Sequence, residues 1–379
     1  MANESRIKNF LFGTQDVKGL IPGFILAVII TALAVYLHDL IGVLFHLKKS
    51  PISSIMIAII LGLILRNTIK IPESMYPGIS FCLAKMLRLG IILVGIRLSI
   101  FAVLKIGALA VGIVFVCICV GCLFTIFVAL KLNLPERLGT LIAVGTGICG
   151  ATAIVATGPS INAKEEEIAY AVGTITLFGL VVMFVYPYLT HLVLGMTHVQ
   201  AGIFMGTAIH ETAQVAGAGL MYDQLWITKG VHPTGMDVAI VTKLVRNTFM
   251  AIVIPAAAYF YTKRQMAEKT EISIIKLFPM FILGFLGMAV IRSLGDFFIV
   301  KQGLFSSPGE WKQVCGFVNH WAGHFLALAM AGVGLGTDIK RLKELGVKPF
   351  LVGLVAAVTV GIVSLILVKV LAPFLHVGS

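Results

Sequence analysis

The chain has 379 residues, of which 59% are hydrophobic and only 12% charged, with a mean hydropathy of +1.02 and a net charge of +12. A soluble domain carries about 25% charged residues, and runs of about 20 apolar residues are long enough to cross a bilayer, so this composition excludes a soluble domain of any size and marks an integral membrane protein. The basic residues gather at the ends of the apolar runs, which reads as membrane topology and excludes a nucleic-acid surface.

A polar tail with Arg6 and Lys8 leads into an apolar run near 20–36. That run is too long for the core of a cleaved signal peptide and lacks a small-residue cleavage site. It predicts an extra N-terminal helix within 19–50. Further apolar segments lie near 52–66, 79–98, 105–131, 138–158, 167–190, 199–220, 236–261, 276–294, 313–335 and 348–373. The expected fold is an all-α polytopic membrane protein of about 9–11 transmembrane segments. Breakers such as "NLPER", "VHPTG" and "SSPGE" separate them. The basic loops "TKRQMAEK" (262–269) and "DIKRLKELGVK" (338–348) place those loops, and the N-terminus, on the cytoplasmic side of a bacterial-type plasma membrane. The six cysteines fall mostly inside apolar runs, so "CICVGC" (117–122) reads as small packing residues and not as a metal site.

Two phrases break the oily pattern. "GTGICGATAIVATGP" starts at Gly145 and "GTAIHETAQVAGAG" at Gly206. Laid over each other without a gap, they match Gly145-Thr146 to Gly206-Thr207, Ile148 to Ile209 and Gly158 to Gly219. Such segments make poor lipid-facing helices, and non-helical backbone survives at membrane depth only where protein or water covers it. Each segment either crosses as a broken helix or dips in and returns as a hairpin. The loop "HLVLGMTHVQ" (191–200) has no Lys or Arg, which favours hairpins. Other stretches echo too: "GIRLSIFAVLKIG" (95–107) with "GLGTDIKRLKELG" (334–346), and "LGLILRN" (61–67) with "FLGMAVIRS" (285–293). Together they outline a first repeat over 51–190 and a second, permuted one over 199–373. With hairpins, both obey one pseudo-two-fold axis in the membrane plane, a pattern of secondary transporters.

A midplane binding site follows from the same phrases. Gly145, Thr146, Gly147, Cys149, Gly150 and Thr152 line it from the first, and Gly206, Thr207 and Gln214 from the second. Half-helix N-termini offer N–H donors suited to an anion, although small residues also serve close helix packing. His210 and Glu211 are ionisable residues inside a span, costing about 2.5–3.5 kcal/mol on insertion scales. They are candidates to carry a coupling proton or sodium ion, or a buried pair that holds the unwound segment. "HETAQ" lacks the second histidine of H-E-x-x-H, so no metal or cofactor is expected. In "VTKLVRN", Lys243 and Arg246 share a helix face beside Asn247, and would hold an oxyanion by point charge and forked donors. Glu211 is expected to pair with one of them when substrate is absent. His320 and His324, one turn apart in "NHWAGH", read as a hydrogen-bonded pair in the core or at an interface.

The four motifs "GTGICGATAIVATGP", "GTAIHETAQVAGAG", "VTKLVRN" and "LRLGIILVGIRLS" resemble the YeiH-like family, named for sulfate export, and the resemblance runs from about Pro51 onward. It implies export of sulfate or a related sulfur oxyanion. It also implies kinship with sodium–proton antiporters and bile-acid symporters, whose broken helices cross the membrane fully. The paired aspartates of sodium–proton exchangers are missing here. The expectation is therefore a secondary transporter of a small anion, in a lipid bilayer, dimerised through a static scaffold. Cation–proton exchange at Glu211 and a passive channel are the alternatives. An intramembrane enzyme would have only Cys149 and scattered histidines to work with, so no enzyme is expected.

Overall fold

The computed structural model describes residues 18–44, 50, 52–228, 231–265, 278–301, 307–339 and 346–374. Arg6 and Lys8, the later half of "TKRQMAEK" and most of "DIKRLKELGVK" lie outside the described residues. Within them each predicted apolar segment is mainly helical, with 138–158 and 199–220 each interrupted by a short non-helical stretch. In chain order the helices are α1 (Ile21–Leu44), α2 (Ser54–Thr68), α3 (Glu73–Arg97), α4 (Ile100–Lys131), α5 (Glu136–Gly147), α6 (Ala151–Thr157), α7 (Glu165–Val193), α8 (His198–Ala208), α9 (Thr212–Trp226), α10 (Gly235–Thr248), α11 (Met250–Gln265), α12 (Phe281–Val300), α13 (Pro308–Gly336) and α14 (Val347–Val370). Among the described residues, seven of these are long and apolar enough to cross a membrane: α1, α3, α4, α7, α12, α13 and α14. The α10–α11 pair, bent by 41°, makes an eighth span if taken as one. The remaining predicted segments are the short α2 and the two glycine-rich phrases.

Several helix starts carry their own local signal. Ser307, Thr197 and Thr234 each cap a helix while the Glu310, Gln200 or Asp237 side chain three residues on bonds back to the cap N–H. This reciprocal box satisfies two amide donors that a helix start otherwise leaves open. At α7 the Glu167 carboxylate accepts the Lys164 N–H at 2.8 Å, so "KEEE" is a helix start.

The chain forms two compact units. The first holds α1–α3, α12, α13 and the last residues of α9. In it the end of α2 packs on the end of α13, and the end of α12 packs on the end of α3, through matching contacts. A Cβ at Gly334 would strike the Ile59 carbonyl and meet Gly62 Cα at 3.0 Å; one at Gly95 would strike the Phe285 carbonyl and meet Met288 Cβ at 3.0 Å. Asn67 Oδ1 accepts the Ile339 N–H at 2.7 Å, and Ser293 Oγ accepts the Ile100 N–H at 2.8 Å. Arg66 bonds Asp338 at 2.9 Å, and Arg292 bonds the Ile96 carbonyl at 3.4 Å. Ile59, Gly62 and Asn67 thus correspond to Phe285, Met288 and Ser293 at one constant offset, while Arg66 and Arg292, at the same offset, bond partners that are not equivalent. Gly95 and Ile100 correspond to Gly334 and Ile339 at another. These contacts fall in or just beside the stretches that echo each other in sequence.

The second unit holds α4–α8, most of α9, α10, α11 and α14. Here each glycine-rich phrase is a helical hairpin. Arg137, at the start of α5, donates to the Asn162 carbonyl beyond α6 at 2.9 Å. Ile154 and Ile161 share an apolar cluster with Leu138, Leu141 and Ile142. A continued helix would hold positions so far apart in sequence tens of ångströms apart at 1.5 Å per residue, so α6 folds back along α5. The second phrase does the same. Gly202 and Gly206 of α8 lie against Gly235, Val238, Ala239 and Thr242 of α10, while Gly219 of α9 faces Met236 at the start of α10. Beyond Glu211, then, α9 returns along the path of α8. The full crossing implied by the antiporter and symporter resemblance is corrected here: Gly150, at φ +72°, turns the chain back, a conformation that glycine adopts without strain.

If Gly95 and Gly334 make equivalent backbone contacts, Gly95→Leu and Gly334→Leu should each lower the detergent-solubilised melting temperature, by an amount equal to about 1–3 kcal/mol or more. Gly112→Leu, where a side chain meets nothing within 4 Å, should leave it unchanged.

Candidate functional site

The two hairpin tips, Gly147–Gly150 and Ile209–Glu211, meet at one face of α10. Each tip holds the C-terminus of an incoming half-helix and the N-terminus of a returning one. The last carbonyls of α5 and α8 have no helical partners, and together these ends carry about half a negative charge each. Lys243 and Arg246, one turn apart on α10 and fully buried, supply the donors. Lys243 Nζ donates to the Ile148 carbonyl at 2.9 Å, to Ile209 at 2.8 Å and to His210. Arg246 Nε donates to Gly147 at 3.0 Å, one terminal nitrogen donates to Thr207 at 2.6 Å and Ile209 at 3.2 Å, and the other to Thr146.

This arrangement obeys the sequence repeat. Ile148 and Ile209 are matched positions and share Lys243; Thr146 and Thr207 are matched positions and share Arg246. Burying a lone ammonium or guanidinium is prohibitive unless hydrogen bonds replace its water. Here they do: all three Lys243 donors face carbonyls, as does every nitrogen of the Arg246 guanidinium. Neither residue snorkels to the surface.

Glu211 behaves differently from expectation. It forms no ion pair with Lys243 or Arg246. One carboxylate oxygen accepts the Thr176 hydroxyl of α7 at 2.9 Å, and the carboxylate lies beside the Ala151 N–H at the start of α6. The cations hold helix C-termini and the acid meets an N-terminus, so each charge faces the opposite end of a backbone dipole. Gly150 is fixed twice over: besides its positive φ, a Cβ there would meet Glu211 Cγ at 2.5 Å. Gln214 braces the second tip, accepting the Glu211 N–H at 3.3 Å and donating to the Thr176 carbonyl at 3.2 Å.

Several polar atoms at the tips are buried and without a hydrogen-bond partner among the described residues: both ring nitrogens of His210, the Thr146 hydroxyl, the Thr242 hydroxyl and Asn247 Oδ1. The His210 ring faces the Thr146 carbonyl but makes no hydrogen bond of ordinary geometry to it. Asn247 Nδ2 holds the Thr212 hydroxyl at the start of α9, at 3.1 Å. Buried polar groups are normally paired, so the tips hold an unusual concentration of open ones.

The structure therefore gathers Thr146, Gly147, Cys149, Gly150, Thr207, His210, Glu211, Gln214, Lys243, Arg246 and Asn247 at the two tips. Gly145 and Gly206 lie one turn back and serve packing, against Ile154 and against Ala239 and Thr242 respectively. Thr152 points to the exposed side of α6. The Cys149 thiol lies 3.2 Å from the Met250 sulfur. Sequence reasoning missed Thr176 and Ser364, whose hydroxyl is 2.5 Å from that of Thr207. Both are hydroxyls in otherwise apolar runs (Thr176 near Thr174), and nothing local marks them out.

Comparison with known proteins gives a consistent picture. The profile of the family described as "Conserved hypothetical protein 698" matches residues 22–353. A UPF0324 membrane protein of Fusobacterium nucleatum is 30% identical over 338 residues, covering 88% of this chain and 94% of its own. A UPF0324 membrane protein of Bacteroides thetaiotaomicron is 32% identical over 366 residues, covering 94% and 100%. One from Corynebacterium glutamicum is 34% identical over 340 residues, covering 89% and 90%.

Removing the Arg246 side chain strands several buried carbonyls, each costing about 1–3 kcal/mol. Arg246→Ala should therefore lower thermal stability by at least about 3 kcal/mol, with Arg246→Lys intermediate. Gly150→Ala should destabilise through both its backbone angle and its clash with Glu211. Melting curves equal to wild type for Arg246→Ala would show that the guanidinium does not hold the tips together.

Proposed function

Because the chain belongs to the UPF0324 family of multi-pass membrane proteins, we propose that it is a secondary transporter of a small anion, with its substrate held between the two hairpin tips. The observation that carries this reading is the sign of the buried charge. The helix ends at the tips cancel, two contributing about −0.5 and two about +0.5 elementary charge. Two full cations, Lys243 and Arg246, then stand against one carboxylate, Glu211. A buried excess of about one positive charge is stabilised by one negative solute. Transporters that bind anionic groups at the midplane use half-helix N-termini in the same way.

In this reading Lys243 and Arg246 act as fixed charges behind the site. Their donors already serve carbonyls, so they attract the anion through the field and do not grip it. The direct contacts fall to the amides at the start of α9, the Asn247 side chain of α10, the Thr146 side chain of α5 and the His210 ring at the second tip. Glu211 is the group that couples transport to a proton. With its carboxylate ionised, the excess charge suits a monoanion such as a sulfonate or hydrogen sulfite; once it is protonated, the site suits a dianion such as sulfate or sulfite. Export across a plasma membrane whose cytoplasmic side holds the N-terminus completes the proposal. Cation–proton exchange at Glu211 is less well supported, because the single acid is outnumbered at the tips.

A ligand that binds only the folded state raises its apparent stability, by about 2.7 kcal/mol at a hundredfold excess over Kd. Sulfate, sulfite or a small organic sulfonate should raise the melting temperature of the purified protein, whereas exchanging sodium for potassium should not. In proteoliposomes, Glu211→Gln should keep anion exchange but lose its response to an imposed pH gradient. Stabilisation by sodium with indifference to every anion would instead support the cation exchanger.

A further inference from the structure

The other part of the molecule that transport does not absorb is α13. Of the seven spans it has the lowest mean hydropathy, and its middle is exposed and polar. Asn319, His320 and His324 lie open near the centre of this 29-residue helix, flanked by the exposed rings of Phe317 and Trp321. The two histidines bond to each other, with their Nε2 atoms 2.9 Å apart. Histidine and asparagine side chains facing hydrocarbon at mid-span are costly, and membrane proteins cover such groups with protein or water. The sequence left these histidines a core or an interface role; their exposure removes the first.

A second, independent pattern runs along the same helix. Gly309, Gly316 and Gly323 recur every seven residues. A Cβ added at Gly316 or Gly323 would meet nothing within 4 Å, and one at Gly309 only the hydroxyl of its own cap, Ser307, at 3.8 Å. Gly332 and Gly334 of the same helix are filled, against Leu83 and Ile59. Glycines let helix backbones approach closely in lipid, where packing and interhelical hydrogen bonds drive association. A seven-residue repeat keeps one seam turned toward a single, nearly parallel partner helix.

We propose that this face of α13 is the interface of a homodimer, packed against α13 of a second copy. A two-fold axis along the membrane normal sets the same helix of both copies parallel and in register, so each residue on the seam meets its own counterpart. Only a second copy supplies an identical heptad of glycines at identical depth. It also supplies polar partners of the right kind: the Asn319 amide is both donor and acceptor, and each neutral imidazole offers one of each. Phe317 and Trp321, in edge-to-face contact with each other, close one side of the seam against lipid. This proposal is independent of what the hairpin tips bind.

Cysteine cross-linking in native membranes tests it. Gly316→Cys and Gly323→Cys should each give a band of twice the monomer mass with a short bis-maleimide. Wild type, and Phe101→Cys on the exposed side of α4, should not. Co-expressed copies carrying two different tags should co-purify, and Gly316→Leu/Gly323→Leu should reduce this to background while leaving the monomer's own melting transition in place. Absence of any self-linked band at both glycine positions, linkage to a protein of another mass, or co-purification unchanged in the double leucine variant would each overturn the proposal. If the double variant does not fold, the cross-linking result decides by itself.

Discussion

Everything at the hairpin tips depends on six backbone carbonyls finding donors away from water. Thr146, Gly147 and Ile148 close one incoming half-helix; Thr207, Ile209 and His210 close the other. No neutral side chain could serve so many acceptors from one direction. An ammonium with three donors and a guanidinium with a planar fork can, and α10 brings both from a single face. The cations are affordable in an apolar interior because the carbonyl ends are electrically negative, and the carbonyls are tolerable there because the cations are fixed. Each half of the arrangement would be unstable alone.

The same principle explains where the acid goes. An ion pair between Glu211 and Lys243 would have left helix ends uncapped on both sides. Distributing the charges, cations to C-termini and carboxylate to the α6 N-terminus, satisfies more of the backbone. It also leaves Glu211 held by only a hydroxyl, beside an amide. Of the three charges at the tips, it has the fewest partners.

The first unit solves a different problem with repeated parts. Its helix ends also need partners, and Asn67 and Ser293 supply them through one geometry used twice. The glycines at these contacts bring backbones together where lipid would otherwise intrude. On α13 the inner glycines are filled in this way and the outer ones are bare, so the helix has one side turned to its own unit and one side with no cover from the described residues.

Much of this was legible in the residues. Apolar run lengths determined the helices, because a span must bury its backbone polar groups within itself. The paired phrases located both interruptions, and buried Lys243 and Arg246 could be picked out because charge at membrane depth is too costly to be incidental. Three things were decided only in three dimensions. Whether the phrases cross or fold back turns on the backbone angles at Gly150 and on contacts such as Arg137 with Asn162, which no composition encodes. What the cations touch was misjudged, because sequence lists side chains and their true partners are backbone carbonyls, present at every residue and therefore invisible as a signal. Thr176 and Ser364 joined the tips from distant helices, since only packing of α7 and α14 brings these hydroxyls from apolar runs to the place where they bond.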